Sequence, residues 1–314
     1  MDTLIKADDV GKTFGSVNAL NTVTVDISRG EIIGIVGPSG AGKTTMIRLL
    51  LGLYKPSHGE VTVFDKAPGK FDRMDRERIG YLPQQFLLYE DLTVRENLLF
   101  AAGTYGLGPR ERRHRIDALL ERLDLADASD RLARDISGGM QRRVALAATL
   151  VHQPDLIVLD EPTAGLDPVL RESIWEMFGH LRENGATLVV TTQYITETER
   201  CDRILLINNG QVVASDSPDG LRDQVFGGEL VRLKSEALSD DLAAKLLALD
   251  FVRDGRRTSP KEMEIVVESA HAAIPRLIGA MNAEGHEIEE IEEVQISLDT
   301  VFVELVRRSS DVQE

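Results

Sequence analysis

The sequence predicts an α/β protein with a mostly parallel sheet, followed by a small α+β domain. Three observations predict this fold class. Up to about residue 225, short apolar stretches alternate with helical stretches, which is the pattern of an α/β sheet. A glycine-rich loop, GPSGAGKTT at Gly37–Thr45, stands between a predicted strand and a predicted helix. After Gly227-Gly228 the order becomes β-α-β-β-α-β, which is typical of a ferredoxin-like unit.

The first domain is expected over residues 1–225, with a helical subdomain at about 85–152. Apolar runs bounded by turn residues predict its strands: Val23–Ile27, Glu31–Gly37, Glu60–Phe64, Ile79–Pro83, Asp155–Glu161, Ala186–Gln193 and the hairpin Arg203–Ala214. Longer stretches predict its helices: Lys43–Leu51, Thr93–Tyr105, Pro109–Leu123, Met140–Val151 and Pro168–Asn184.

The second domain is expected over residues 226–314. Its predicted elements are, in order, strand Glu229–Ser235, helix Asp240–Leu249, strands Phe251–Asp254 and Glu262–Glu268, helix Ala272–Asn282 and strand Glu289–Gln295. A last helix places Leu298, Val301, Phe302 and Leu305 on one apolar stripe. Two interpretations of the stripe stay open here: it packs on the small domain, or it contacts a second copy or another partner.

Composition excludes several classes of function. The 314 residues carry a net charge of −16, from 52 acidic and 36 basic residues, which argues against a nucleic-acid partner. One cysteine, Cys201, leaves no internal disulfide. No apolar run of about 18 residues and no signal-peptide pattern is present. Any role at a membrane must therefore come through a partner.

The loop Gly37–Thr45 matches G-x-x-x-x-G-K-[ST] in the strand–loop–helix context that this motif requires. Its backbone N–H groups and the following helix start can bind a polyphosphate. Lys43 is expected to reach the β- and γ-phosphates, and Thr44 to bind Mg²⁺. The predicted ATP-binding residues of this phosphate loop are Gly37, Pro38, Ser39, Gly40, Ala41, Gly42, Lys43, Thr44 and Thr45.

A pair of carboxylates follows a second apolar strand, LIVLDE. Asp160 is placed at the sheet edge, where it can hold Mg²⁺. Adjacent strand residues point to opposite faces, so the chain must turn after Asp160, in agreement with Pro162. Glu161 is then free to polarise a water for attack on the γ-phosphate.

The stretch DISGGMQRR at Asp135–Arg143 is a second candidate anion-binding turn at a helix start. One phosphate loop already completes a site for the α- and β-phosphates. We therefore expect the signature turn, Ser137–Gly139, to bind the γ-phosphate of an ATP held by a second copy.

The set GPSGAGKTT, YLPQQ, ISGGMQRR and LIVLDEPTAGLDP, in this order, resembles the nucleotide-binding subunits of ABC transporters over roughly residues 3–225. The resemblance implies a P-loop NTPase fold, cofactors ATP and Mg²⁺, and a dimer of two copies. It also implies the roles of further residues: Phe14 stacks on adenine, Gln84 contacts Mg²⁺ and the attacking water, Ser137, Gly138, Gly139 and Gln141 close over the partner's ATP, and Asp167 crosses the dimer interface. From the residues alone, Phe14 could be a core side chain and Asp167 a helix N-cap.

Gln193 departs from the family, which usually has a histidine that contacts the γ-phosphate. Glutamine donates a hydrogen bond but carries no charge, so we expect catalysis with slower hydrolysis. TTQY and the final SLDTVFVEL resemble the daunorubicin-type, ABC-2 branch of exporters. That branch implies separate integral-membrane permease subunits and a location on the cytoplasmic face of the membrane. The resemblance to the ABC family also implies that Phe86–Phe100 forms a groove for a short helix of the membrane subunit. From the residues alone, this segment could instead pack in the core of the helical subdomain, and both can hold for different faces.

Two other classes of protein explain the sequence less well. A soluble ABC ATPase of the ribosome type has two cassettes, whereas this chain has one phosphate loop, and a chromosome-type ATPase has long coiled coils, whereas no sustained heptads occur here. A small-molecule kinase does not explain ISGGMQRR or the acid pair. The sequence therefore predicts an exporter ATPase, with the soluble ABC ATPase as the alternative.

Overall fold

The computed structural model describes residues 2–85, 87–236, 238–294 and 296–311. The chain forms two compact units, one up to Ser215 and one from Asp216 onward. The sequence placed this boundary after residue 225. The difference arises because the helix Pro218–Phe226 packs within the second unit, where Arg222 Nε donates to the Ile296 carbonyl at 2.9 Å.

The first unit contains a parallel sheet and an antiparallel sheet. Its strands are β1 (Thr3–Phe14), β2 (Val17–Ser28), β3 (Ile32–Val36), β4 (His58–Val63), β5 (Ile79–Leu82), β6 (Leu156–Asp160), β7 (Thr187–Thr192), β8 (Arg203–Asn208) and β9 (Gln211–Asp216). The larger sheet has the order β5-β6-β7-β3-β8-β9, and the smaller has the order β2-β1-β4. Strands β5, β6, β7, β3 and β8 are parallel to one another. The predicted α/β class is therefore confirmed.

Strands β3, β6 and β7 are buried along their whole length, as expected for parallel strands covered on both faces. One apolar core joins both sheets through the helix that follows β3, and it includes Ile5, Val23, Ile35 and Ile47. This packing fixes the carboxyl ends of β3, β6 and β7, which is the edge of the sheet where ligands bind in folds of this class.

The helices of the first unit are α1 (Lys43–Leu50), α2 (Arg73–Glu77), α3 (Val94–Thr104), α4 (Pro109–Arg122), α5 (Gly138–Leu150) and α6 (Pro168–Glu183). Helix α3 begins with a capping box between Thr93 and Glu96. Helices α3, α4 and α5 pack on one another and form the segment that the sequence assigned to a helical subdomain.

The second unit begins with α7 (Pro218–Phe226) and continues with β10 (Glu229–Lys234), α8 (Asp240–Leu247), β11 (Val252–Ser259), β12 (Glu262–Val267), α9 (Ala270–Ala283), β13 (Glu290–Val294) and α10 (Leu298–Asp311). Its sheet is antiparallel with the order β11-β12-β10-β13. This is the ferredoxin-like arrangement that the sequence predicted. Helices α8 and α9 cover one face, where Val231, Leu246, Ile265 and Leu277 form a core.

The apolar stripe of α10 is buried within this unit. Leu298, Val301 and Leu305 are 3%, 1% and 9% exposed, and α10 packs against α7, where Arg308 donates to the Val225 carbonyl at 2.9 Å. The fourth residue of the stripe, Phe302, is half-buried. The stripe thus packs on the small domain, and a contact with a second copy or another partner stays a prediction.

Two residues of the predicted elements, Phe86 and Gln295, lie outside the described residues. Among the helices of the described ranges, none is long and apolar enough to cross a membrane.

Candidate functional site

The phosphate loop, Gly37–Thr45, connects β3 to α1 and is shaped by its glycines. A Cβ atom on Gly37 would lie 2.0 Å from the Ile207 carbonyl oxygen. Gly42 has φ 110° and is the N-cap of α1, with no side-chain cap bond. The first N–H groups of α1 are therefore free of a capping side chain, which is the arrangement that binds a phosphate.

Lys43 lies inside this loop. Its side chain is 6% exposed, and Nζ donates to the carbonyl oxygens of Gly37 at 2.7 Å and Pro38 at 3.1 Å. Burial lowers the pKa of the Lys43 ammonium, while the negative charges of Glu161 and Asp160 oppose that change. The loop thus holds a cation at its centre, where an incoming phosphate can replace the two carbonyl contacts.

Asp160 ends β6 at the same edge of the sheet and is 2% exposed. Its carboxylate accepts hydrogen bonds from Thr44 Oγ1 at 3.1 Å and from Thr191 Oγ1 at 2.6 Å. Glu161 has φ 54°, in the left-handed region, so the chain turns there as the sequence requires. The carboxylates of Asp160 and Glu161 consequently accept hydrogen bonds from different side chains.

The Glu161 carboxylate lies between two glutamine side chains. Gln84 Nε2 donates to Oε2 at 3.1 Å, and Gln193 Nε2 donates to Oε1 at 2.7 Å. The structure therefore brings the three predicted catalytic residues together. The sequence placed Gln193 on the γ-phosphate; here its amide hydrogen-bonds to Glu161, because β7 and β6 are neighbours and both end at this point.

A cleft of about 260 Å³ lies over the phosphate loop. The residues that line it come from the phosphate loop and from the segments around Glu161. They are Ala19, Ser39, Gly40, Gly42, Lys43, Thr44, Thr45, Gln84, Glu161 and Gln193. Among the described residues that line it, none comes from the signature turn Ser137–Gly139. The cleft holds polar donors and a carboxylate but is open on one side.

The signature turn begins α5. Ser137 is the N-cap, and its Oγ accepts from the Met140 N–H at 3.3 Å. The Gln141 side chain donates to the Ala133 carbonyl at 2.9 Å, within its own subdomain. Asp167 is the N-cap of α6, and Oδ1 accepts from the Leu170 N–H at 3.0 Å. The cap interpretation of Asp167 thus holds, and it leaves the interface role as a prediction.

Phe14 ends β1 and is 42% exposed. Its ring meets Tyr54 edge-on with centroids 5.2 Å apart, and Lys12 Nζ lies 5.0 Å from the Phe14 centroid. A core side chain would be buried, so the core interpretation of Phe14 does not hold. Stacking on adenine remains a prediction.

Arg142 is a further residue of the site, and none of the sequence motifs identifies it as a site residue. This side chain is 6% exposed and donates to the carbonyl oxygens of Gln84 at 2.8 Å, Asp160 at 2.8 Å and Pro162 at 3.2 Å, and also to that of Glu161. Burial lowers the pKa of its guanidinium, and the nearby Glu161 and Asp160 oppose this.

Arg142 fixes the backbone of the two segments that carry Gln84 and Glu161. One signal could have revealed it. Arg142 shares the i, i+3, i+4, i+7 stripe of α5 with Ala145, Leu146 and Thr149, and all four are buried.

Comparison with known proteins places this site in a family. A family model described as ABC transporter matches residues 20–164. The daunorubicin resistance ATP-binding protein DrrA3 of Streptomyces coeruleorubidus is 36% identical over 314 residues, covering 100% of this chain and 99% of that protein. The linearmycin resistance ATP-binding protein LnrL of Bacillus subtilis (strain 168) is 30% identical over 311 residues, covering 98% and 99%.

A solved structure agrees with these relatives. A dimeric ATP-binding cassette in a post-hydrolysis state, bound to ADP and phosphate, matches with a TM-score of 0.63 and 32% identity. The match covers 68% of this chain and 98% of the cassette. The phosphate loop, the acid pair and the similarity of the whole chain lead to one conclusion: the chain belongs to the ATP-binding proteins of ABC transporters and is an ATPase.

Proposed function

We propose that this chain is the energising subunit of a multi-subunit ABC-2-type exporter, in which two copies close on two ATP–Mg²⁺ and drive export through separate membrane subunits. The relatives DrrA3 and LnrL, which are resistance ATP-binding proteins, support this over a soluble ATPase. One observation supports a site shared between two copies. The cleft over the phosphate loop is open, and the signature turn of the same chain does not line it.

Gly138 supports a role for the signature turn between copies. A Cβ atom on Gly138 would meet no heavy atom of its own chain within 4 Å, and its φ lies outside the left-handed region. Glycine is therefore not required there by the fold of this chain. We infer that the space is filled by the γ-phosphate of the ATP bound to a second copy, beside the exposed start of α5.

The oxygen ligands of the site fit Mg²⁺. Thr44 Oγ1 and Asp160 Oδ2 are 3.1 Å apart, and hydroxyl and carboxylate oxygens are ligands that this cation prefers. Gln84 lines the same cleft and adds an amide oxygen. When bound, Mg²⁺ would neutralise charge on the β- and γ-phosphates.

Glu161 is the proposed general base. Its carboxylate accepts a proton from the attacking water, while the amides of Gln84 and Gln193 hold it in place. Gln193 can also donate to the γ-phosphate, but without the positive charge of a protonated histidine. Lys43 and the N–H groups of the phosphate loop bind the triphosphate. Phe14 would stack on the adenine.

An exposed apolar patch supports docking to a membrane subunit. Leu87 is 98% exposed, and Tyr89 and Phe100 are about half exposed with ring centroids 4.6 Å apart. These residues follow Gln84, so a short helix of the permease that binds them would lie near the glutamine that contacts Glu161. The chain would then work at the cytoplasmic face of the membrane.

Subunit mixing tests the shared site. The Lys43→Ala variant can no longer bind phosphate at its own phosphate loop. The Gly138→Asp variant can no longer bind the partner's ATP at its own signature turn, because the new carboxylate repels phosphate. In a mixed pair, one site combines the intact loop of one copy with the intact turn of the other. ATPase activity that returns on mixing, with each parent inactive, is the expected result.

The control for this experiment is Gly108→Asp. Gly108 is the N-cap of α4, and a Cβ atom there also meets nothing within 4 Å. This variant should keep full ATPase activity alone. If the mixed Lys43→Ala and Gly138→Asp chains stay inactive while both fold and form pairs, the shared site is wrong.

A further inference from the structure

A buried carboxylate lies behind the loop that carries Gln193. Glu197 is 5% exposed, and its two oxygens accept from Thr163 Oγ1 at 2.8 and 3.0 Å. Glu197 Oε2 also accepts from Thr192 Oγ1 at 2.7 Å. Both threonines are 1% exposed. A buried carboxylate is costly unless it is paired, so this arrangement needs a reason in the fold or in the function.

Arg171 of α6 supplies the opposite charge. Its Nε lies 3.1 Å from Glu197 Oε1, and Nη2 donates to the Leu166 carbonyl at 3.2 Å. Its guanidinium carbon lies 4.3 Å from the centroid of the Tyr194 ring, which is the distance of a cation–π contact. Arg171 and Glu197 thus contact two loops at once.

The first of these loops, residues 162–167, runs from the proposed base, Glu161, to Asp167. The second, residues 193–197, begins with Gln193. Thr192 anchors its start, since Oγ1 accepts from the Tyr194 N–H at 3.0 Å while it donates to Glu197. The backbone on both sides of Gln193 is therefore held by the Glu197 network.

This anchoring matters because Gln193 is exposed. A long, exposed side chain without a charge has many rotamers of similar energy. Its 2.7 Å bond to Glu161 then depends on where the backbone places it. The same carboxylate that places Gln193 also binds Thr163 in the loop that leads to Asp167.

We propose that Glu197, paired with Arg171, is a positioning residue that couples the 162–167 loop to Gln193. When a second copy docks on the 162–167 loop, the Glu197 carboxylate would transmit the change to the position of Gln193. The hydrogen bond from Gln193 to Glu161 would change with it. The inference rests on the proposed function, because it assumes a site shared by two copies.

The first test is Glu197→Gln in the full chain. Glutamine keeps the size but removes the charge that holds Arg171 and both threonines. We expect the affinity of the phosphate loop for ATP to stay within about twofold, because Glu197 does not line the cleft. We expect kcat to fall about tenfold, since small misplacements of catalytic groups cost this much or more. Glu176→Gln, an exposed carboxylate on α6, should match the wild type.

A second pair of variants keeps the test valid if Glu197→Gln does not fold. Thr163→Val removes one donor to Glu197 and keeps the volume, while Thr163→Ser keeps the hydroxyl. The valine variant should lose kcat at unchanged ATP affinity, and the serine variant should recover it. Equal loss in both would mean that packing, and not the hydrogen bond to Glu197, is what matters.

A double-mutant cycle separates positioning from a structural role. Gln193→Ala is combined with Glu197→Gln, or with Thr163→Val where the first does not fold. If Glu197 acts through Gln193, the double variant should hydrolyse ATP within about twofold of Gln193→Ala alone. Losses that multiply, or wild-type kcat in Glu197→Gln, would overturn the inference. Failure of the shared site would instead be detected as inactive mixed pairs in the experiment above, so the two failures are distinguishable.

Discussion

Two turns of this chain place backbone N–H groups at the start of a helix, and they differ in what surrounds them. At the phosphate loop, the glycines are required by the fold, because a Cβ atom on Gly37 would overlap the Ile207 carbonyl and one on Gly42 would lie 2.6 Å from the Ala19 carbonyl. At the signature turn, a Cβ atom on Gly138 meets nothing. The atoms of the chain itself therefore require glycine in the first turn and do not require it at Gly138.

The two helices that follow these turns, α1 and α5, also differ in how their first N–H groups are capped. Helix α1 has no side-chain cap, and a lysine lies in the loop before it. Helix α5 is capped by Ser137. A complete pocket for a triphosphate therefore needs the first turn, whereas the second turn is a small, preformed surface that can be added from outside.

Lys43→Ala should abolish ATP binding and turnover together. The substitution removes the one ammonium inside the phosphate loop, and charge-assisted bonds to phosphate are among the strongest in proteins. Calorimetric titration with ATP measures the affinity. Lys70→Ala, an exposed lysine outside the cleft, should bind like the wild type. Unchanged affinity in Lys43→Ala would contradict the assignment of the loop.

Glu161→Gln should keep ATP binding and lose turnover by a factor of about 10² to 10⁴, the usual range for removal of a general base. Because hydrolysis is blocked, the two copies should stay closed on ATP, and size-exclusion chromatography with ATP should show a dimer. Glu60→Gln on β4 serves as the control. Turnover near the wild-type rate would remove Glu161 as the base.

Gly37→Ala and Gly138→Ala make the comparison of the two turns quantitative. The first forces a methyl group against a backbone carbonyl, so the free energy of unfolding should fall by about 2 kcal/mol or more. The second adds a methyl group into open space at a helix start, so it should change by less than about 0.5 kcal/mol. Urea denaturation of the two variants measures the difference. Equal losses of unfolding free energy would mean that the fold requires glycine at position 138 as well.

Gln193→His should leave the ATPase rate equal or up to about tenfold higher. A protonated histidine adds a charge-assisted bond to the γ-phosphate, which is roughly twice as strong as a neutral one. Steady-state rates of the two proteins across a pH series would check this, with any gain largest at the lower pH values, where the histidine is protonated. A complete loss of activity would show that hydrolysis requires the hydrogen bond that the Gln193 amide donates to Glu161.

The short-range features of this protein were predictable from local sequence. The phosphate loop, the turn after Asp160 and the cap at Asp167 depend on φ preferences and hydrogen bonds within a few residues, so motif and spacing predicted them. Strands β6 and β7 were predicted because each is a continuous apolar run that is buried along its whole length. Strand β1 was missed because charged residues and an irregular register at Asp9 interrupt its alternation.

Tertiary structure alone decided which distant residues meet. Gln84 and Gln193 follow different strands, and they reach Glu161 together only because the order β5-β6-β7 places three strand ends side by side. The four carbonyls bound by Arg142 and the pairing of Glu197 with Arg171 depend on the same long-range packing. No local pattern encodes the order of strands in a sheet, because that order is set by the burial of the whole apolar core.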